Sequence, residues 1–210
     1  MFHLDNKSKA HPMDRKHFYD DQIEEFKKNG KPSLAVGIFD VMLFTEQKEI
    51  ILQKRSHKKR HNAYLIDKTV GGHIQYGDSP FYTAMIECVQ ELRVPAVVLR
   101  QEEDFERTFG ILSKSLESTA ILELIDQNIY NIANIYDGEE IEIAKNIWMF
   151  IGVYGGAMKP VDREASGVLY YELDILEEEM KRMPELFTPD LHFMIKKYRK
   201  NIDSLLDKLG

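Results

Sequence analysis

Two carboxylates one helical turn apart, Glu87 and Glu91, stand downstream of the paired glycines Gly71 and Gly72, and this stretch is the one best equipped for chemistry. Paired glycines after a strand permit backbone geometry that other residues resist, and Ser79-Pro80 marks the start of a helix. The expected unit is a strand, a glycine loop and then a helix. At about 100° per residue, Phe81, Ala84, Met85, Cys88 and Leu92 gather into one apolar arc, while Glu87, Gln90 and Glu91 line its polar edge. Like charges so placed repel by roughly a few tenths of a kcal/mol on an isolated helix. A divalent cation held by oxygen ligands offsets that repulsion, although a bare pair of this kind more often marks a solvated polar face. Asp78 is placed to serve the loop or to cap the helix.

Other reactive types are less suggestive. Cys88 falls on the core arc, where a buried thiol behaves as a small apolar side chain, so an inert role is expected. The run Lys54 to His61 holds five Lys or Arg and no acid, which suits steering of a diphosphate or, more commonly, a solvated hairpin loop. His57 and His61 are four apart but have no third ligand nearby, which argues against zinc.

The elements that must position these residues are legible in outline. Asp14 to Lys28 reads as a peripheral helix ended by Gly30 and Pro32, serving packing and not chemistry. The run from Ser33 to Phe44 is too apolar for a half-exposed strand, and with Glu49 to Leu52 it suggests a central hairpin. Further strands are expected near Thr69 to Ile74, Val97 to Leu99, Phe105 to Leu112, Asn146 to Tyr154 and Gly167 to Leu173. The spacing of Ile121, Leu124, Ile125 and Ile129 predicts a helix, and Thr188-Pro189 predicts a last helix reaching towards Leu209. Interleaved strands and helices without a period mean an α/β or α+β layered domain with a mixed sheet. The economical division is a helical extension over 1–32, a central domain over 33–180 and a C-terminal helix over 181–210 packed on the same domain.

The segment from Gly72 to Val94 resembles the signature of the Nudix hydrolase superfamily. That signature is a Gly, Glu after five residues, and after seven more Arg-Glu-apolar-any-Glu-Glu-any-Gly-apolar. Laid on this chain without a gap, Gly72 takes the first Gly, Asp78 the first Glu, Glu87 the Glu after Arg, Cys88 the apolar position, Glu91 the last Glu and Val94 the last apolar residue. The box is degenerate: Ile86 stands where the family has Arg, Gln90 where it has the first Glu of the final pair, and Arg93 where it has Gly. Leu52 to Ser56 is similar to the family's strand ending in a basic residue, Asn62 to His73 to its approach to the glycine loop, and Lys159 to Asp174 to its acidic loop and following strand. Phe187 to Leu191 resembles the terminal helix of some members, so the likeness spans about residues 33–200.

The resemblance implies an α/β/α sandwich around a mixed sheet, here with extra N- and C-terminal helices. It also implies a hydrolase of a diphosphate linkage in a nucleoside diphosphate derivative or similar metabolite, dependent on Mg²⁺ or Mn²⁺. By the same likeness Glu91 is the leading metal ligand and Glu87 a ligand or general base. Gln90 would offer a neutral carbonyl oxygen, Glu164 a further acid from a loop, and Arg55, Gly71 and Gly72 contacts to substrate. In the family the Arg at the place of Ile86 fixes the catalytic Glu by a charge-assisted hydrogen bond, which an aliphatic side chain cannot make; Arg93, Arg55 or a cation of Lys58 to Arg60 is the alternative donor. The overall look is near that of isopentenyl-diphosphate isomerase, but Gly71 occupies the place of that enzyme's catalytic Cys, which argues against isomerase activity.

Composition bounds these readings. With Lys plus Arg 28 and Asp plus Glu 35 among 210 residues, the net charge of −7 argues against a nucleic-acid polymer or an anionic membrane as partner, leaving a small phosphorylated molecule. A lone cysteine calls for no oxidising compartment, and no export signal or membrane-length apolar run is visible, so a cytoplasmic protein is expected. Family members are often dimers, which makes the terminal helices candidates for a homodimer interface. The rival to an enzyme is a catalytically impaired Nudix-fold protein that binds a nucleotide or phosphorylated metabolite in a regulatory role.

Overall fold

The computed structural model describes residues 2–3, 6–59, 62–136, 138–159 and 165–209. Two short N-terminal strands, β1 (Phe2–His3) and β2 (Asn6–Ala10), precede helix α1 (Arg15–Asn29). Asp14 caps α1 by accepting from the amides of Lys16 and His17, and Gly30 ends it in the left-handed conformation. The apolar run then forms β3 (Leu34–Phe44), followed by β4 (Glu49–Arg55), β5 (Ile66–Asp67), β6 (Val70–His73), α2 (Pro80–Leu92) and β7 (Ala96–Leu99). After α3 (Glu102–Leu112) come the long strands β8 (Ala120–Tyr136) and β9 (Glu139–Val153), then β10 (Ala165–Glu172) and helices α4 (Leu173–Arg182), α5 (Pro189–Lys197) and α6 (Arg199–Lys208).

One mixed sheet runs β10-β4-β3-β9-β8-β7, with β6 and β1 also paired to β3 and β5 to β4. The central strand β3 is parallel to β9 and antiparallel to β6, where Asp40 lies opposite Gly71 and Phe39 opposite Gly72. The expected hairpin of β3 with β4 is confined to its turn, at Leu43 with Ile51 and Phe44 with Ile50, because β6 takes the rest of that edge. Strands covered on both faces favour apolar residues at successive positions, which accounts for the run in β3, broken only by Asp40.

The two cores differ in size. Val36, Ile38, Met42 and Phe44 pack with Phe18, Phe105, Leu176, Leu191 and Ile202, so α1, α3, α4, α5 and α6 share one face. Phe39, Val41 and Leu43 pack with Ala84, Cys88 and Leu92 of α2, the one helix on the other face among the described residues. The mixed sheet between helical layers, with helices added at both ends, is the expected sandwich.

Three expected elements differ. Phe105 to Leu112 is not a strand but the body of α3: Phe105, Phe109 and Leu112 fall on one helical stripe, and Glu102, Glu103 and Asp104 fill the first turn, where the helix dipole favours acids. The residues from Ile121 to Ile129 are not a helix but lie in β8, where a register shift between Leu124 and Asp126 breaks the two-residue alternation. The last helix is two, α5 and α6, divided at Tyr198. Among the described residues, no helix is long and apolar enough to cross a membrane.

Candidate active site

The site is assembled where the end of β4, the turn from β5 into β6 and the last turns of α2 converge. Thr69 ties the first two together: its hydroxyl accepts from the Leu43 amide at 2.9 Å and donates to the Ile51 carbonyl, and the residue is fully buried. That bonding fixes the Thr69 carbonyl, which accepts from Nε2 of Gln53 on β4. The same Nε2 lies 3.3 Å from Glu91 Oε2 on α2. Gln53 and Glu91 are each only 7% exposed, so both contacts are made largely out of water.

Helix α2 begins at Ser79 with Pro80 in its first turn, as expected, but neither Ser79 nor Asp78 supplies a side-chain cap; instead the Thr83 amide and hydroxyl bond the Ser79 carbonyl. Its end is an αL cap. Arg93 is left-handed at φ 57°, its amide bonds the Val89 carbonyl, the Val94 amide bonds the Cys88 carbonyl, and Val94 is buried. Arg93 thus holds the conformation for which glycine is best suited, at the position where the resemblance has Gly. Cys88 is buried in the smaller core, where burial pushes its thiol up to about 12, the inert behaviour expected of it.

Gln53, Arg55, Lys59, Asp67, Lys68, Val70, Gly71 and Glu91 line one small cleft. Arg55 is anchored there by Nη1 to Asp67 Oδ2 at 2.8 Å and by Nε to the Asn62 carbonyl at 3.1 Å. Asp67 is itself held by the Thr188 hydroxyl at 2.8 Å and the Lys68 amide at 2.9 Å. Behind the glycine strand lies a charge network. The Lys68 ammonium is 2.8 Å from Asp40 Oδ1, 3.6 Å from Asp190 and 3.9 Å from Asp67, and Lys145 is 2.6 Å from Asp190. Burial opposes the charge on Lys68, but the three carboxylates outweigh it and hold the ammonium protonated well above its ordinary range. Burial likewise opposes charge on Asp190, and Lys145 and Lys68 reverse that, drawing its carboxyl below the ordinary range. Asp40, 1% exposed, has the ion pair with Lys68 but no hydrogen bond of good geometry to either oxygen.

Of the residues singled out by sequence, Arg55, Gly71 and Glu91 come together in the cleft. Gly72 adjoins Gly71 with its face towards the Phe39 ring, and Glu87 lies half-buried one turn before Glu91. Gln90 is exposed and does not line the cleft. Glu164 lies outside the described residues, as does His61, while His57 stacks on Tyr64. Among the described residues, no group of three or more His, Cys, Asp or Glu side chains is placed to hold a metal ion. Sequence reading passed over Gln53, Lys68 and Asp40; the one signal was an aspartate inside an otherwise apolar strand.

The NUDIX domain family model matches residues 34–165, which include the glycine strand, α2 and every cleft-lining residue. The chain belongs to the NUDIX domain family. Among solved structures, it is similar to a bifunctional NMN adenylyltransferase/ADP ribose pyrophosphatase from Francisella tularensis, at 10% identity over 87% of this chain and 46% of that one, TM-score 0.50. It is also similar to a NUDIX family hydrolase from Clostridium perfringens, at 13% identity over 84% of this chain and 99% of that one, TM-score 0.46. A NUDIX hydrolase from Nitrosomonas europaea gives 9% identity over 80% and 90% of the two chains, TM-score 0.47. No curated protein matches.

Proposed function

We propose that this Nudix protein is a divalent-metal-dependent hydrolase of a diphosphate linkage in a nucleoside diphosphate derivative or similar small metabolite. One observation carries the reading: a buried carboxylate, Glu91, shares a cleft with the anchored guanidinium of Arg55 and with Lys59 and Lys68. Cations in such a cleft attract a diphosphate, and the acid opposite them has hard oxygens for a metal ion.

The donor set fits a hydrated Mg²⁺ or Mn²⁺, which binds through one or two carboxylates and retains several waters, better than a metal that needs a closed cage. Glu91 and Glu87 would hold it, with Glu164 as a further ligand or the base; Gln90 is the weakest member of the set because it is exposed and uncharged. When bound, the ion neutralises diphosphate charge and lowers the pKa of water. The chain's own residues bind and orient. Arg55, fixed by Asp67 and the Asn62 carbonyl, presents its guanidinium to a phosphoryl oxygen without first ordering its side chain. Gly71 and Gly72 keep the strand backbone bare of side chains beside the cleft.

A regulatory protein that binds such a molecule without turning it over is the second reading, favoured by the aliphatic Ile86 at the family's Arg and the exposure of Gln90. The discriminating experiment is release of phosphate or nucleoside monophosphate from a panel of diphosphate compounds with Mg²⁺ or Mn²⁺. Turnover that falls on the order of 100-fold or more in both Glu91→Gln and Glu87→Gln supports the hydrolase. A compound that raises the melting temperature while nothing is turned over transfers the conclusion to the binding role.

A further inference from the structure

We infer that Gln53 is the positioning residue for Glu91, a neutral amide clamp between the β4 strand and α2. The inference rests on the proposal that Glu91 is a metal ligand.

The Gln53 Nε2 group faces two oxygens, the Thr69 carbonyl and Glu91 Oε2 at 3.3 Å. A carbonyl and a carboxylate are both acceptors, so only the NH₂ end of the amide satisfies them, and its two hydrogens divide between the two partners. The orientation of the amide is therefore dictated by its surroundings. One of those surroundings is itself rigid. Thr69 is fully buried, and its hydroxyl bridges the Leu43 amide and the Ile51 carbonyl, which ties the clamp to strands on both sides. Glu91 rides on a helix joined to the sheet through apolar contacts of Ala84, Cys88 and Leu92, which fix the helix but do not themselves set the torsions of a glutamate side chain. A hydrogen bond from a sheet-anchored donor selects one of those rotamers.

The neighbouring position in α2 cannot do this. Ile86 has no donor, whereas Gln53 reaches the acid from across the cleft. The amide bonds the acid without adding a positive charge of its own. The same amide closes the floor between β4 and α2, since both residues line the cleft. Loss of an orienting partner behind a metal ligand characteristically weakens metal affinity by about 10- to 100-fold.

The test uses Mn²⁺ alone, followed by electron paramagnetic resonance as the free ion is taken up by the full chain. Gln53→Met keeps the length and bulk of the side chain and removes its donors. Gln53→Asn keeps an amide but shortens it by one methylene, so that it falls short of Glu91; it serves if the Met variant does not fold, as judged by its melting curve. The expected result is uptake that Glu91→Gln abolishes and that either Gln53 variant weakens at least 10-fold while remaining folded. Uptake that depends on Glu91 but is unchanged in both Gln53 variants overturns the clamp and leaves the metal reading standing. Uptake that Glu91→Gln does not alter overturns the metal reading and the clamp with it, and the Glu91 variant tells the two failures apart.

Discussion

The Lys68 ammonium lies 2.8 Å from Asp40 directly across the backbone of Gly71, where an added Cβ would come within 2.3 Å of Lys68 Cε and 2.5 Å of Asp40 Oδ1. A lysine tip usually yields to such a contact, but this one is held among three buried carboxylates. Gly71→Ala must therefore part a buried ion pair or shift β6 away from β3, and breaking a buried pair costs about 3–5 kcal/mol. At Gly72 the nearest atom is the Phe39 ring edge at 3.1 Å, which a small ring displacement relieves. Urea unfolding should show Gly71→Ala destabilised by about 3 kcal/mol or more and Gly72→Ala by clearly less; equal losses would mean that the ion pair tolerates displacement.

The end of α2 gives a prediction of opposite sign. Arg93 occupies the left-handed C′ position of the αL cap at φ 57° and ψ 33°, exposed and with its amide engaged by the Val89 carbonyl. A residue with a Cβ pays roughly 1 kcal/mol there that glycine does not. Arg93→Gly should raise the denaturation midpoint by an amount equivalent to about 1 kcal/mol without changing the slope. An unchanged or lowered midpoint would show that the arginine side chain contributes more than its backbone costs.

These two positions show what sequence could and could not reveal. The glycine strand, α2 and its polar edge were legible because their signals are local: paired glycines, Ser79-Pro80, and apolar residues at helical spacing. The reading of β8 as a helix failed for a specific reason. Ile121 and Ile125 reach one core four residues apart, a spacing that strand alternation shares with a helix, and the register shift between Leu124 and Asp126 then changes the parity, so that Tyr130 and Ile132 face that same core. In α3 the acidic first turn carried the correct signal, but Thr108 and Gly110 weakened the helical reading. The charge network lay beyond reach altogether, since Asp40, Lys68, Lys145 and Asp190 come from β3, the β5–β6 turn, β9 and α5 and meet only in the fold. Gln53 was hidden the same way, its role being set by Thr69 and Glu91 on other elements.

His73, one residue past the paired glycines, makes stability depend on pH. Its Nε2 is hydrogen-bonded with the Tyr19 hydroxyl of α1 at 2.9 Å. Burial, aided by the fields of Arg15, Lys145, Lys68 and Lys59, lowers its pKa to about 3 from an ordinary 6.5. Between those values the unfolded chain binds a proton that the folded chain refuses, so stability rises with pH in this window and is lost as pH falls through it. The His73 contribution to the slope approaches about 1.4 kcal/mol per pH unit. In His73→Gln, whose amide can still hydrogen-bond with Tyr19, that part of the slope between about pH 6 and pH 4 should vanish. A variant as steep as the parent in this window would show that His73 does not carry the acid sensitivity, and Asp190 would not account for it either, since its lowered carboxyl makes its stability loss begin only near its ordinary 3.8.

Arg55 and Asp67 divide binding from architecture in the cleft, and kinetics can separate the two. Arg55 is partly exposed and faces the cleft, whereas Asp67 is buried and joins Arg55, the Thr188 hydroxyl and the Lys68 amide in one node. Removing the guanidinium with Arg55→Met takes away a charge that a diphosphate meets before and during reaction alike, so KM for any hydrolysed compound should rise about tenfold with kcat little changed. It should also flatten the salt dependence of kcat/KM, because one steering charge is gone. Asp67→Asn keeps the shape but loses the anion that fixes Arg55 and helps neutralise Lys68, so the melting temperature should fall as well as kcat/KM. If Arg55→Met instead lowers kcat with KM unchanged, its guanidinium acts on the transition state and not on binding, and the division of labour between the two residues is wrong.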